Sequence, residues 1–300
     1  MNTSSFPYQI LGCSLALLSA FFWALGSILF HAIGEKAPAA GMNLIKCLLG
    51  CAYIGIPLLI LGFRRMDTHS FLFLGFSGIL GIAMGDTFFF KALKDIGPKP
   101  TIILGTLGPV FTIILACLIL RENISLPAWL GILCVLAGTN IVVWESSPEA
   151  PGKKQWLRGI IFAALSGTCT AAAVILAKIG IENTDTLQAT WIRLLWAGSV
   201  LLIGGTAAGK LRHWALPFKN TKILLLTGFT VFIVIFGGFW LSLVSLKFIG
   251  ASISTILNFT TPLFILPLAA VFLKQKTTLL ETIGSLLAIT GIALIFSSPG

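Results

Sequence analysis

Three ionisable residues, Lys46, Asp86 and Arg193, stand inside long apolar runs of the sequence. At membrane depth such groups are costly, so they pair with one another, face a cavity or line a transport pathway. An ammonium, a carboxylate and a guanidinium in these surroundings are suited to pairing with charge and to binding a charged ligand. They are the first candidates for a functional site.

Lys46 and Asp86 are expected to form an ion pair. Lys46 lies near the start of the second apolar run, and Asp86 lies near the end of the third. Consecutive membrane helices run in opposite directions, so both side chains lie at the same depth below one membrane face. Pairing offsets their desolvation. Two interpretations stay open: the pair fixes helix packing, or it takes part in gating or substrate binding.

Five further residues have types suited to a cavity wall or to a bend in a helix. Trp23 lies in mid-helix, away from the interfacial aromatic belt, and Trp191 lies in the seventh run. We assign Trp23, Trp191 and Asn258 to the cavity wall, although a buried Trp also serves as a packing residue. Pro109 and Pro262 each remove a backbone donor, which frees a carbonyl and allows a bend.

The composition indicates the solvent in which these residues act. Of 300 residues, 57% are hydrophobic and only 10% are charged, with a mean hydropathy of +1.00. A water-soluble fold cannot hide so much apolar surface, so lipid must cover much of it. The net charge of +10 would suggest nucleic acid in a soluble chain. Here the basic residues lie mostly in short connections, which indicates membrane topology and no nucleic-acid partner.

Ten apolar runs are long enough to cross a bilayer, which requires roughly 20 residues in a helix. The sequence therefore predicts an all-α membrane protein with ten transmembrane helices. The runs lie at 10–33, 42–62, 71–90, 100–120, 127–144, 158–180, 187–208, 221–243, 251–273 and 279–297.

The two halves of the chain repeat each other. A shift of 147 residues aligns the first part of each half, and a shift of 153 aligns the second part. The aligned pairs include Gly12 with Gly159, Ser19 with Ser166, Lys46 with Arg193, Pro109 with Pro262, Gly131 with Gly284 and Gly138 with Gly291. Each repeat carries five helices, an odd number, so the second enters the membrane from the opposite side. We therefore predict two inverted five-helix repeats, at 8–146 and 156–298.

Arg193 corresponds to Lys46, but Asp86 corresponds to a position near Phe239, so Arg193 lacks an equivalent acidic partner. One interpretation pairs Arg193 with Asp185 or Glu182 at the same membrane face, or extends it to lipid headgroups. The other leaves its guanidinium unpaired in a cavity, where its planar fork suits a carboxylate or phosphate. In the second case the small-molecule substrate is anionic.

The first half also carries a family resemblance. The segment from Gly85-Asp86-Thr87-Phe88 to Ala92-Leu93, then Gly108-Pro109-Val110-Phe111, Leu120-Arg121-Glu122 and Ala137-Gly138, resembles the EamA domain of the drug/metabolite transporter superfamily. The second half resembles another copy. The resemblance implies ten helices, secondary active transport and often metabolite export. The second copy departs from the pattern at Gln275, which stands where the first has Glu122.

These features favour a secondary transporter, an exporter or exchanger, that moves a small polar metabolite by alternating access through a central cavity. A channel or scramblase is the alternative. A membrane-embedded enzyme is disfavoured because the sequence lacks His-Glu-x-x-His, Gly-x-Ser-x-Gly and a phosphate-binding glycine-rich loop. We therefore expect no catalytic residues, no metal and no cofactor, and a location in the cell inner (plasma) membrane.

The orientation of the chain is open between two expectations. Apart from Lys46 and Arg193, thirteen of the 20 basic residues fall in connections on the face opposite the termini. Only five fall on the face of the termini: Arg64, Arg65, Arg121, Lys178 and Lys247. Because cytoplasmic connections are enriched in Lys and Arg, this bias favours both termini outside. The family resemblance favours both inside.

Overall fold

The computed structural model describes residues 6–34, 37–96, 101, 104–105, 107–145, 153–264, 268 and 278–297. All regular secondary structure in these ranges is helical. The ends of the two predicted repeats, residues 146 and 298, lie outside the described ranges, as does Gln275.

Six α-helices of the first half have both ends within the described ranges. They are α1 (Phe6–Gly34), α2 (Ala39–Leu61), α3 (Thr68–Ser77), α4 (Asp86–Ile96), α5 (Leu107–Ile119) and α6 (Leu126–Glu145), with a π-helical segment at Gly78–Gly85. Seven α-helices of the second half have both ends within the described ranges. They are α7 (Lys153–Gly180), α8 (Thr186–Ala207), α9 (Leu211–Ala215), α10 (Thr221–Ile233), α11 (Leu241–Phe248), α12 (Ala251–Asn258) and α13 (Leu279–Ser297). A 3-10 turn spans Leu216–Lys219, and a second π-helical segment spans Val234–Trp240.

Seven helical spans among the described residues are long and apolar enough to cross a membrane, so the protein is a multi-pass membrane protein. Each π-helical segment continues the helix before it, so Thr68–Phe89 and Thr221–Phe248 each form one span. Two further apolar helices, Leu107–Ile119 and Leu126–Val142, are shorter. The ninth predicted run begins with α12, but most of residues 265–273 lie outside the described ranges. The count of ten therefore stays a prediction.

Local hydrogen bonds explain where several spans begin and end. The side chain of Asp67 accepts the Ser70 N–H at 2.8 Å and caps α3. This bond, to an exposed carboxylate, holds the pKa of Asp67 below its ordinary value. Asp185 caps α8 in the same way by accepting the Leu187 N–H at 2.9 Å. At the end of α2, Gly62 adopts a φ of 83°, a conformation that favours glycine.

The first helix of each half packs against the π-helical segment of the other half. Ser19 in α1 donates a hydrogen bond to the carbonyl of Gly238 at 2.8 Å. Ser166 in α7 donates the corresponding bond to the carbonyl of Gly85 at 2.9 Å. Ser19 corresponds to Ser166 under the first shift, and Gly85 to Gly238 under the second. The halves are therefore interlocked by matching contacts.

Corresponding helices of the two halves run in opposite directions where they touch. In α6, Gly131 lies against the Gly291 carbonyl of α13, and Gly138 lies against the Gly284 carbonyl. Positions rise along one helix as they fall along the other, so α6 and α13 are antiparallel. Helices α2 and α8 pack in the same sense. A side chain at Gly131 or Gly138 would collide with the backbone of α13, so this crossing requires glycine.

Candidate functional site

The expected ion pair between Lys46 and Asp86 is present. The Nζ of Lys46 lies 2.6 Å from the Oδ2 of Asp86, and Lys46 is almost wholly buried at 6% side-chain exposure. Asp86 keeps 30% of its side-chain surface exposed. Asp86 is the first residue of α4 and follows the π-helical segment directly. Irregular turns of this kind are frequent at functional sites because they re-aim side chains.

An aromatic pair also lies against Lys46. Its ammonium lies 5.0 Å from the centroid of the Phe239 ring, within the range of a cation–π contact. The Trp23 ring packs on Phe239 with centroids 4.8 Å apart. Phe239 occupies the position that corresponds to Asp86, so Lys46 contacts a carboxylate from the first half and the corresponding aromatic ring from the second.

Arg193 has no pairing of this kind. Its Nε is fully buried and has no hydrogen-bond partner, and the guanidinium forms no ion pair within the described ranges. The backbone of α8 at Arg193 lies directly against Gly78, and its Nη2 lies close to Gly81, both in the first π-helical segment. Asp86 is the acidic group that interacts electrostatically with Arg193. That carboxylate is already bonded to Lys46.

The pairing of Arg193 with Asp185 or Glu182 is therefore wrong. The Asp185 carboxylate accepts the N–H groups of Leu187 and Gln188, where it caps α8. Glu182 is exposed in the preceding turn. Arg193 lies about two turns into α8, too far along the helix for either carboxylate to bend back to it. Among the described residues, this region therefore contains two cations, Lys46 and Arg193, and one carboxylate, that of Asp86.

Trp191 acts as a packing residue. Its indole Nε1 donates to the Cys51 carbonyl at 3.0 Å, and its ring lies edge-on to Phe63 at 5.3 Å. These contacts pack α8 against α2, and the hydrogen bond to Cys51 occupies the single N–H donor of the indole. Among the described contacts, none joins Trp191 to the Lys46–Asp86 pair.

Asn258 lies at a break in its helix, next to Pro262. Helix α12 ends at Asn258, a turn follows at Phe259–Thr260, and helical structure resumes at Thr261. Since Pro262 lacks an N–H, the Asn258 carbonyl instead accepts the Thr261 hydroxyl at 2.8 Å. The side-chain Oδ1 of Asn258 is buried and has no hydrogen-bond partner among the described residues. The structure describes no contact between Asn258 and the charged residues.

Pro109 is buried in the first turn of α5. The preceding Gly108 lies against the backbone of Gly167 in α7, so the two helices approach closely at this level. Residues 102, 103 and 106 lie outside the described ranges, so the bend expected at Pro109 stays a prediction.

Three polar residues with structural roles near the site were not predicted. Asn43, buried one turn before Lys46, donates to the Ile82 carbonyl in the π-helical segment at 2.8 Å. Its Oδ1 is buried without a partner. A polar residue three positions before a buried lysine, on the same helix face, is a signal that could have identified it.

The other two residues join the halves at the membrane face where α1 begins and α13 ends, here called the terminus face. The Gln188 side chain accepts the Arg64 N–H and donates to the Arg64 carbonyl, both at 3.0 Å. The carboxylate of Glu122 accepts the N–H groups of Ala251 and Ser252 at 2.5 and 3.2 Å, and so caps α12.

A polar cavity of about 290 Å³ opens between these connections at the terminus face. Its walls come from both halves and carry charges of both signs: Arg64, Arg65, Glu182, Asp185 and Lys247. Within the described ranges, no group of three or more His, Cys, Asp or Glu side chains is arranged to hold a metal ion.

Comparisons with known proteins agree with this architecture. The chain is 23% identical to an uncharacterized transporter of Archaeoglobus fulgidus, over 95% of this chain and 98% of that one. It is 23% identical to the uncharacterized transporter YxxF of Bacillus subtilis, over 90% and 85% of the two chains. It is 26% identical to the human solute carrier family 35 member G1, over 77% and 63%.

A solved crystal structure matches the fold with a TM-score of 0.66 at 16% identity, over 96% of this chain and 95% of that one. Relatives named as transporters point to a transporter rather than an enzyme. The model of the EamA-like transporter family matches residues 10–144 and 157–297, one copy in each half. The chain therefore belongs to the EamA-like transporter family.

Proposed function

We propose that this protein is a secondary transporter that exports or exchanges a small polar metabolite by alternating access. Family membership and the named relatives support membrane transport. The antiparallel packing of corresponding helices supports ten helices in two inverted repeats, which can rock against one central site. We assign the protein to the cell inner (plasma) membrane.

The observation that carries the proposal is the guanidinium of Arg193, whose Nε is buried and which has no ion-pair partner among the described residues. A buried cation without a partner is too costly to keep unless a ligand supplies the opposite charge. Because Asp86 pairs with Lys46, the positive charge of Arg193 is not neutralised by this carboxylate. We therefore infer that the substrate carries a carboxylate or phosphate group, which binds the planar fork of Arg193.

The aromatic rings beside Lys46 supply the apolar wall of this binding site. Trp23 packs on Phe239, which lies against the Lys46 ammonium, and these rings exclude water and so strengthen the electrostatic attraction. Asn258, with its unpartnered Oδ1 beside a helix break, offers a polar group to the uncharged part of the substrate. Trp191 is not part of the binding site, because its contacts lie within the protein.

The repeat suggests how the site changes between its two states. Under the two shifts, the contact of Lys46 with Phe239 corresponds to a contact of Arg193 with Asp86. When the halves exchange conformations, Asp86 moves from Lys46 to Arg193 and leaves Lys46 free. The substrate anion then binds to the cation from which Asp86 has moved away. Substrate and Asp86 thus compete, and this competition couples release to the conformational change.

Counterflow in proteoliposomes tests the proposal. Vesicles are loaded with an excess of one unlabelled compound and given a trace of the same labelled compound outside. The panel contains small carboxylates and phosphate esters, with neutral and cationic analogues matched in size. A carrier gives transient, saturable accumulation of the label, and we expect it for anionic compounds alone. Flux that does not saturate would indicate a channel or scramblase, and counterflow of cations alone would contradict the anionic site.

A further inference from the structure

The connection between α8 and α10 is longer than its counterpart in the first half. Residues 208–220 join α8 to α10, whereas residues 62–67 join α2 to α3. The added residues form α9 and a 3-10 turn at the membrane face opposite the terminus face. The alternating-access mechanism does not use this element, so its composition points to a different task.

Helix α9 is amphipathic and covers an apolar groove of about 200 Å³. The groove lies between the first turns of α2 and the last turns of α8, and it is lined by Leu44, Ile45, Leu48, Leu202, Leu211 and Ala215. Trp214 wedges α9 against Gly41 of α2 and Gly205 of α8. From Gly41 to Leu48 the groove extends about 10 Å along α2, within the span Ala39–Leu61 that is long and apolar enough to cross a membrane.

Basic residues surround the outer end of this groove. Lys210, Arg212, Lys219 and Lys222 are all exposed, and none forms an ion pair within the described ranges. The sequence contains no Asp or Glu between positions 186 and 280, so this segment supplies no countercharge of its own. A headgroup phosphate at the bilayer surface gains about 1 kcal/mol for each nearby Lys or Arg.

We propose that this groove is a binding site for an anionic phospholipid. The phosphate binds the basic residues around α9, and one acyl chain lies in the groove beneath Trp214. A free phosphate would meet the same cations but would leave the apolar groove unused. An uncharged lipid would fill the groove but would supply no negative charge to the basic residues. Only a lipid with a net negative headgroup matches both parts of the site.

The position of the groove links it to transport. The same turns of α2 carry the groove on their lipid-facing side and Lys46 on the opposite side. Because α2 packs against α8 at this level, a bound acyl chain fills the outer seam between the two halves. We therefore expect the lipid to stabilise the packing of α2 on α8.

The test uses the full-length protein in nanodiscs of phosphatidylcholine mixed with phosphatidylglycerol. The ratio of the two lipids that stay bound after mild detergent extraction is measured by mass spectrometry. We expect Arg212→Gln with Lys219→Gln to lower phosphatidylglycerol affinity about fivefold for each charge removed. The matched control, Arg64→Gln with Arg65→Gln at the terminus face, removes the same charge and should leave the ratio unchanged.

A second variant separates a lipid from a free anion. Ala215→Phe fills the groove without changing charge, so it should also lower phosphatidylglycerol retention. Inorganic phosphate, added to protein in neutral detergent, should not raise the melting temperature. If the Arg212/Lys219 variant retains the wild-type ratio, or if the control loses it equally, the site is wrong. If phosphate stabilises the protein and Ala215→Phe has no effect, the site binds free anions and not lipid.

Discussion

Lys46 and Asp86 lie 2.6 Å apart, on helices joined only through a connection at the far side of the membrane. The corresponding cation of the second half, Arg193, has a buried Nε without a hydrogen-bond partner in the part of the chain that the structure describes. This asymmetry between otherwise matching halves is the basis of the proposed mechanism. Lys46, which is paired, and Arg193, for which the structure describes no ion pair, occupy equivalent positions in two repeats whose helices make matching contacts.

Reversing the charges tests whether the pair stabilises the fold. Lys46→Asp or Asp86→Lys alone places like charges together in low dielectric, and we expect each to cost about 3 kcal/mol of unfolding free energy. The swapped double variant restores opposite charges and should recover part of the loss. Denaturant unfolding in detergent measures all three. Strictly additive losses would show that the two side chains do not interact.

The two hydrogen bonds between the Gln188 side chain and the Arg64 backbone, here called the clamp, should hold the halves together at the terminus face. Gln188→Leu removes both hydrogen bonds, at about 1 kcal/mol each, while keeping the side-chain volume. We expect the Arg64 amide to exchange hydrogen roughly 30-fold faster, since 1.4 kcal/mol corresponds to a factor of ten. Gln155→Leu, an exposed change at the opposite face, is the control. Unchanged exchange at Arg64 would mean that the clamp does not restrain this connection.

Much of the fold could be predicted because lipid imposes a minimum apolar length on each helix. The ion pair could be predicted for a related reason: Lys46 and Asp86 share a depth. The spacing of Asn43 from Lys46 could have identified Asn43 as well. The partners of Gln188 and Asn43 could not be predicted, because each side chain contacts a backbone group of a connection or π-helical segment. Hydropathy carries no information on such irregular backbone. Residue type likewise does not reveal that the Cys51 carbonyl accepts the single N–H of Trp191, which the sequence assigns to the cavity wall.

The start of α3 should weaken in acid. The pKa of Asp67 is depressed in the folded protein by its hydrogen bond from Ser70, so its stabilisation is complete above the unfolded pKa of about 3.9. It is lost as pH falls through the folded pKa. We expect protection of the Ser70 amide, corrected for intrinsic exchange, to fall below about pH 4. Asp67→Asn keeps an acceptor without a titrating group, so the same pH dependence in this variant would refute the assignment.

The distribution of basic residues predicts that both termini lie outside the cytoplasm. Thirteen basic residues fall in connections on the opposite face and five on the terminus face, and positive connections stay inside. A reporter that is active only in the cytoplasm should be silent when fused after Gly300. The same reporter inserted after Gly209, in the exposed connection before α9, should be active. Strong activity from the terminal fusion would reverse the orientation.

The most direct measurement of the central claim is anion binding by wild type, Arg193→Gln and Arg193→Lys. The probe is the carboxylate or phosphate ester with the strongest counterflow, and the readout is the rise in melting temperature with ligand concentration. Lys91→Gln, an exposed lysine at the opposite face, is the control and should bind as wild type does.

Removing the guanidinium takes away charge-assisted hydrogen bonds worth about 1.5–3 kcal/mol. We therefore expect Arg193→Gln to bind the anion roughly 10- to 100-fold more weakly while its own unliganded melting temperature is maintained or raised, since a buried unpaired charge is removed. Arg193→Lys keeps the charge without the fork, and should bind with intermediate affinity. Wild-type affinity in a folded Arg193→Gln protein would contradict the anionic site.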